Sequence, residues 1–583
     1  MDRKNFILGT ACIVGAFVLF FFTSKPATAP ASGAKSAAPV AAASAAPAIS
    51  PASPPPPSSA LAPKAVADAE VRRFVRENGV LRVTFTSRGG AIEKIELLRE
   101  KAAQGKAAGN VLFNAGNAEA ALTLAVQNPA TRQLESVRSE FLPAAPEAGG
   151  DAVTFVGRLA DGTRVERSYA LSKAGDPEPH LLRFSTRLIP ASKDRAAPKF
   201  WLSTGSWEPT AGDSANQFLS VLAHDGEDLT RVGLDVFTDS SGIFGLGAHK
   251  AETEHAVVAA GRVHGWVASG NQFFASVIRP EPSVRGARSD VLVRPVALAA
   301  GGRGVDAYAS WETPAAADLS VTQSGELFVG PKEYARVSAL PDSQVEVLQF
   351  SKLFGFIPFD SICKLLLASL GGVHHMLAWS GAWSWGWAIV ALTVILKALT
   401  WPLTSAQQKA AKKMQKFSKP MQDIRERHKD NPEKMQKELM KLYQEHKINP
   451  FAGCLPVLIQ IPIFFGLYTA FQTTVELRLH SFLWIGDLSA PDTVAHIASF
   501  PVNPLPVLMG VTMWLSMKMT PSPQADPSQK MIFNLMAVFF PVLCYPMASA
   551  LTLYMTIQNL LTMLQAALTK DASEAVSAKP AKA

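Results

Sequence analysis

Residues 391–404 read ALTVILKALTWPLT, and the single cation among them, Lys397, decides what kind of fold this chain adopts. Without Lys397 the run from Trp385 to Thr404 is an apolar stretch of about 20 residues, enough to cross a bilayer as a helix. A lysine at the centre of such a helix costs roughly 2.5–3.5 kcal/mol on insertion scales. No Asp or Glu lies within the run to offset that cost. Two readings fit the position. Lys397 stands seven residues, or ~10 Å of helix, from Thr404, so its amine can snorkel to the near surface. Alternatively, it faces a water-filled space inside a bundle of helices.

The rest of the chain is divided in the same way. Over 583 residues it is 48% hydrophobic and only 18% charged, greasy for a water-soluble protein. Apolar runs of spanning length occur at Phe6–Phe22 and again after Trp385, and between them lies a long stretch of ordinary soluble composition. The expected class is therefore an α+β integral membrane protein with one large water-exposed domain. Cys12, Cys363, Cys454 and Cys544 all fall in apolar or membrane-adjacent segments, so the soluble part needs no disulfide. There is no Cys/His metal spacing, GxSxG, HExxH or P-loop, so neither an enzyme nor a metal or other cofactor is expected. The net charge of +8 is concentrated: residues 405–450 carry twelve Lys/Arg against six Asp/Glu. Such a loop suits anionic lipid or ribosomal RNA, and nothing points to DNA.

Composition divides the chain into segments. Residues 1–23 are a transmembrane anchor or, since Ala27-Thr28-Ala29 resembles a cleavage site, a signal peptide. Residues 24–65, mostly Ala, Pro and Ser, cannot bury enough surface to offset their ordering entropy and form a tether. Over 66–340, runs such as LRVTFTS, ALTLAVQ and HLLRFSTRLI alternate with period two, and Asp161-Gly162 marks a hairpin turn, which predicts a large β-sandwich. His249 and His255 there have no partner at ligand-like spacing and read as surface residues. Residues 341–383 hold a helical stretch that Pro358 could start and Gly371-Gly372 could end. It lies in the membrane interface or packs on the β domain as a linker.

Residues 384–569 then predict five spans, at Trp385–Thr404, Cys454–Val475, Leu505–Met519, Ile532–Tyr545 and Ala548–Leu568, six with the first anchor. Lys/Arg bias places the N-terminus, the loop 405–450 and the short tail 570–583 in the cytoplasm, and the β domain outside. The loop 476–503 carries one basic residue, Arg478. Within 405–450, Met414, Phe417, Met421 and Ile424, then Met435, Leu439 and Leu442, step by three and four. This predicts an antiparallel helical hairpin, its second helix capped by Asn431 with Pro432 following.

Polar residues inside the spans favour the wet reading of Lys397. Thr393 lies one turn before it. Thr552, Thr556 and Asn559 fall at i, i+4 and i+7 on the last span, Gln558 and Thr562 lie on an adjoining face, and Gln460 sits in the second. One such residue is ordinary helix-packing glue, but this many beside a lysine predict a polar interior. No carboxylate lies deep in any span and no internal repeat is apparent, which argues against an ion-coupled transporter. A membrane-anchored chaperone acting through the β domain remains the other alternative.

The motifs NPFAGCLPVLIQIPIFFGLY (Asn449–Tyr468), LTVILKALTWPLT, PVLMGVTMW (Pro506–Trp514) and LTLYMTIQNLLT (Leu551–Thr562) resemble the YidC/Oxa/Alb insertase family. FTSRGGAIEKIEL (Phe85–Leu97), GWVASGNQFFASVIRP (Gly265–Pro280) and LFVGPKEY (Leu327–Tyr334) resemble its Gram-negative periplasmic domain. The resemblance implies a β-supersandwich domain, a five-helix core and a hydrophilic groove whose one charge, usually Arg, is here Lys397. Lysine keeps the charge and loses the planar fork that grips carboxylates. Thr393, Gln460 and Tyr554 are similar to groove-lining positions, and Phe464, Met509 and Leu543 to positions along which clients slide. Implied partners are nascent membrane proteins, lipids and a Sec translocon. The tail is short and barely charged, so ribosome contact through it would be weak.

Overall fold

The computed structural model describes residues 71–577, apart from 106–107, 129–130, 132, 145–151, 193–195, 211, 214–215, 241–247, 258–262, 285–287, 300–301, 350–358, 429–430, 447–454, 498–499 and 520–526. The expected first span, the tether, Pro358 and the Asn-Pro start of the 449–468 motif lie outside the described residues.

The alternating segments form antiparallel sheets of nine, six and four strands. Leu181–Ile189 shows how the pattern works. Leu182, Phe184 and Leu188 point into the core while Arg183 and Arg187 point out, and the strand pairs with Arg164–Leu171 on one side and Val321–Pro331 on the other. The six-stranded sheet contributes Val291, Val293, Val305, Ala307 and Ala309 to the same core, so the sheets pack face to face as a sandwich. Asp161-Gly162 forms the turn between two paired strands, with Gly162 at φ 86°, where a Cβ would be strained. Arg167, fully buried, donates to Gly89 O at 2.8 Å and to Leu122 O, which ties the four-stranded sheet to the nine-stranded one.

The chain then turns helical: α1 (Phe359–Met376), α2 (Ser384–Lys416), α3 (Ser418–Arg427), α4 (Pro432–Glu445), α5 (Leu455–Thr473), α6 (Pro504–Met519), α7 (Pro527–Cys544) and α8 (Ser549–Ser577). Helix α1 runs through Gly371 and Gly372 rather than ending there. Glycine weakens a helix by about 1 kcal/mol but does not force a stop, and here α1 packs on α2 and α5. Helices α2, α5, α6, α7 and α8 surround one apolar core that includes Leu392, Phe464, Met509, Phe540 and Tyr554. Among the described residues one segment, Ser384–Lys409, has the length and sustained apolarity of a membrane span, and Asn534–Cys544 is a shorter apolar helix.

The basic segment differs from expectation in one respect. Met414, Phe417, Met421 and Ile424 do not share one helix, because α2 continues past Thr404 to Lys416 and the chain breaks at Phe417 before α3. Met414 and Met421 are nonetheless buried together, with Phe417, Leu439 and Leu442 against them. Ile424 and Met435 are only half-buried. Asn431 caps α4 through Lys434 N at 3.0 Å, with Pro432 at the first turn.

Sandwich and bundle meet at the α5–α6 connection. The Arg478 guanidinium donates to Lys101 O (2.6 Å) and Ala102 O (2.7 Å) and lies over the rings of Phe273 and Phe274, 5.7 and 5.4 Å from their centroids. Gln272 donates to Gln472 O at 2.9 Å, and Tyr334 N donates to Glu476 at 2.8 Å. The one basic residue of the 476–503 loop is thus used to hold the β domain.

Candidate functional site

The helical bundle has the reverse polarity of a water-soluble protein. Its outer faces expose large apolar side chains at helical spacing: Leu535, Val538 and Val542 on α7, Leu560, Leu564 and Leu568 on α8, and Val507, Val511 and Trp514 on α6. Lys397 and several threonines are inside. Contiguous apolar surface on this scale marks contact with a hydrophobic medium.

Lys397 is only 4% exposed, and its Nζ donates to Thr562 Oγ1 at 2.9 Å. Burial against α8 is incompatible with an amine extended to the near surface, so the structure does not adopt the snorkelling geometry. Among the described residues Lys397 makes no ion pair. Its partner is arranged to accept: Thr562 sends its own hydroxyl hydrogen to Gln558 O at 2.7 Å, which leaves a lone pair for the ammonium. The same back-bonding to the carbonyl four residues earlier occupies Thr393 (to Ile389 O, 2.7 Å) and Thr556 (to Thr552 O, 2.7 Å). Thr552 bonds Ser549 O at 3.0 Å. Thr393, Thr552 and Thr556 are buried and Thr562 is half-buried, and none of the four hydroxyls leaves its donor unmet.

The remaining expected positions divide into two groups. Gln460 on α5 donates to the Tyr554 hydroxyl of α8 at 2.8 Å, so the two residues form one cross-helix contact. Asn559 reaches Met509 O and Thr512 of α6 at 3.4 and 3.3 Å. Phe464 and Met509 lie inside the apolar core, with Phe464 against Phe540, and Leu543 is half-buried beside them. In this conformation none of the three offers an open track to a client.

Sequence reading missed Gln565. This fully buried side chain of α8 donates to Thr404 Oγ1 (2.8 Å) and Ser405 Oγ (3.0 Å) of α2, about two turns from Lys397 toward the basic segment. A signal was present: Gln558, Thr562 and Gln565 continue at i, i+4 and i+7, a second polar line beside Thr552–Thr556–Asn559. Chemically, the site is one cation and a row of lone pairs in a low-dielectric surround, closed by a side-chain clasp. Such a site can attract negative charge and polar chain, and no group in it is set up for covalent chemistry. Among the described residues no cluster of three or more His, Cys, Asp or Glu could hold a metal ion.

Two family models match the chain, the YidC periplasmic domain over residues 74–359 and the 60Kd inner membrane protein over residues 376–575. The chain is 29% identical over 555 residues to the membrane protein insertase YidC of Cupriavidus necator, covering 93% of this chain and 90% of that one. It is 42% identical over 251 residues to the insertase of Pelobacter propionicus, covering 42% and 44% of the two chains. A solved structure described as an active YidC insertase with its first transmembrane domain resolved is similar at 20% identity with a TM-score of 0.31, over 88% of this chain and 95% of that one.

Proposed function

This chain belongs to the YidC family of membrane protein insertases, and we propose that it inserts clients by drawing their polar tails to Lys397 between α2 and α8. The observation that carries the reading is a buried, carboxylate-free ammonium on a polar line inside a bundle whose outer faces are apolar. The chain is an inner-membrane protein with a periplasmic domain. Our finer reading has six spans, a cytoplasmic N-terminus and the hairpin α3–α4 in the cytoplasm, following the Lys/Arg bias.

A client begins at the hairpin, whose basic outer faces suit the polar end of an emerging segment while its apolar seam holds the two helices together. Its tail then separates the near ends of α2 and α8. Two contacts must open: the Gln565 clasp on Thr404 and Ser405, and the Lys397–Thr562 bond. Both are replaced in kind, since a polar tail offers acceptors to the ammonium and partners to the amide. Exchange of like for like keeps the barrier low. The tail's path through hydrocarbon is thereby shortened while the client's apolar segment enters lipid. Phe464, Met509 and Leu543 become its track only once the core helices part, because they are packed now.

The sequence carries no nucleotide-binding motif, so partition must drive the step. Some twenty apolar residues at ~0.3–0.6 kcal/mol each supply on the order of 10 kcal/mol. That offsets a few charged residues at ~3 kcal/mol each and no long hydrophilic domain. A membrane potential, positive outside, adds about 2.3 kcal/mol per acidic charge per 100 mV. Long-tailed clients therefore require a channel partner, for which the Sec translocon is the candidate. The test reconstitutes the full chain in liposomes with a single-span client bearing a short acidic tail. We expect Lys397→Arg to insert it as the native chain does, and Lys397→Glu to lose most insertion. Equal insertion by both and by Lys397→Ala would remove the electrostatic role.

A further inference from the structure

Helix α6 is too short for its place. Its 16 residues span ~24 Å at 1.5 Å per residue, against ~30 Å of hydrocarbon in a typical bilayer. Lys518 marks its far end, where the ammonium lies 4.1 Å over the Trp514 ring. The shortfall falls at the other end, next to the β domain.

A small hairpin stands there. Ala495–Ile497 pairs with Phe500–Val502 in register Ala495↔Val502, His496↔Pro501, Ile497↔Phe500, and this two-stranded sheet joins no other. A lone two-stranded hairpin is marginal in water. This one is rooted on the bundle. Asn503 donates to Tyr545 O at 2.8 Å, the Tyr545 hydroxyl donates to Pro501 O at 2.6 Å, and Phe500 stacks on the Tyr545 ring at 5.5 Å. Asp492 Oδ2 accepts from Leu505 N at 2.7 Å and fixes where the loop enters α6. The hairpin is therefore held rigidly, yet it exposes Val494, Ile497 (68%) and Phe500 (62%). From Thr493 to Met517 no Asp, Glu, Lys or Arg occurs. The exposed apolar face of α6, at Val507, Val511 and Trp514, thus continues without a charge into the hairpin.

We propose that the hairpin strands Ala495–Ile497 and Phe500–Val502 seat in the outer leaflet as an apolar foot that completes the hydrophobic height of α6. Three residues of strand at ~3.4 Å each add about 10 Å, which covers the missing length. The partner is lipid at the acyl–headgroup boundary, because the hairpin prolongs a face that the bundle already presents to hydrocarbon. The alternative, local thinning of the bilayer around a short helix, would leave the hairpin in water. A foot at this point would hold the α6–α7 pair at fixed depth while α2 and α8 part for a client.

The inference rests on the bundle spanning the membrane, and the test separates the two. A benzophenone amino acid replaces Ile497, or Val538 on the outer face of α7, in the full chain in liposomes. After irradiation, lipid adducts are measured by mass. Adduct yield at 497 within about threefold of that at 538 is expected. Lipid adducts at 538 with none at 497, or with 497 joined to protein, overturn the foot and leave the spanning bundle standing. No lipid adduct at either position overturns the spanning bundle itself.

Discussion

Replacing Arg478 by Ala should loosen the β domain from the bundle without unfolding either. The guanidinium donates two hydrogen bonds to the carbonyls of Lys101 and Ala102 and lies over Phe273 and Phe274. Hydrogen bonds to charged groups contribute about 1.5–3 kcal/mol each, and a partly exposed cation–π contact adds roughly 0.5–1 kcal/mol. The side chain is only half-buried, so the lower ends apply and sum to roughly 3.5 kcal/mol, which water reaching the freed carbonyls brings down to about 3 kcal/mol. At 1.4 kcal/mol per decade, that is roughly a hundredfold shift toward the undocked state. The amide of Tyr334 reports this opening, since its acceptor is the Glu476 side chain across the joint. Its hydrogen exchange should accelerate about a hundredfold in Arg478→Ala and by less in Arg478→Lys, which keeps the charge but not the fork. Unchanged exchange at Tyr334 in the alanine variant would show that Arg478 does not hold the joint.

Other consequences can be measured separately. Burial holds the Asp306 carboxyl at about 6 against an ordinary 3.8, despite hydrogen bonds from Ser203 and Thr204. The folded state thus prefers the protonated acid. Its contribution is nil below the unfolded value, becomes unfavourable as pH rises from there toward 6, and is constant above, where it costs about 3 kcal/mol at most. Asp306→Asn should therefore raise the denaturation midpoint of the β domain at pH 8 relative to the native chain, and not at pH 3.5. An equal effect at both would contradict the titration. Asn431→Ala removes the α4 cap, worth about 1 kcal/mol, so exchange of the Lys434 amide should quicken about fivefold. Met509→Ala opens a cavity in the bundle core at a cost of roughly 2–5 kcal/mol, and should lower the melting temperature in detergent even with no client present.

Much of the architecture could be read directly because its causes are local. Period-two alternation in Leu181–Ile189 has only one way to be half-buried, and Asn431-Pro432 starts α4 as capping chemistry dictates. Lys397 stood out for the same reason, since one charge in an apolar run is costly wherever the helix points. What escaped depends on which helices face each other. Gln565 matters through Thr404 and Ser405, more than 150 residues away, and no periodicity on α8 alone names α2 as its neighbour. Phe464 and Met509 could be placed on spans, but whether they face lipid or the core is a matter of helix rotation, and they proved to be packed inside. Arg478 appeared as a charge to be counted for orientation. Its contact with Lys101 and Ala102 is a tertiary event invisible to a charge count. The hairpin Ala495–Val502 was missed because its three-residue strands are too short to show alternation.

The most direct measurement asks whether water reaches the place where the ammonium sits. Lys397→Cys in the full chain, in oriented inner-membrane vesicles, is exposed to a charged, membrane-impermeant thiol reagent from the cytoplasmic face, with Val538→Cys as the lipid-facing control. The account predicts that position 397 reacts, that a bound client tail protects it, and that position 538 does not react. If position 397 is as inert as 538 from that face, the bundle's interior is dry and the lysine has no polar path to attract a client along.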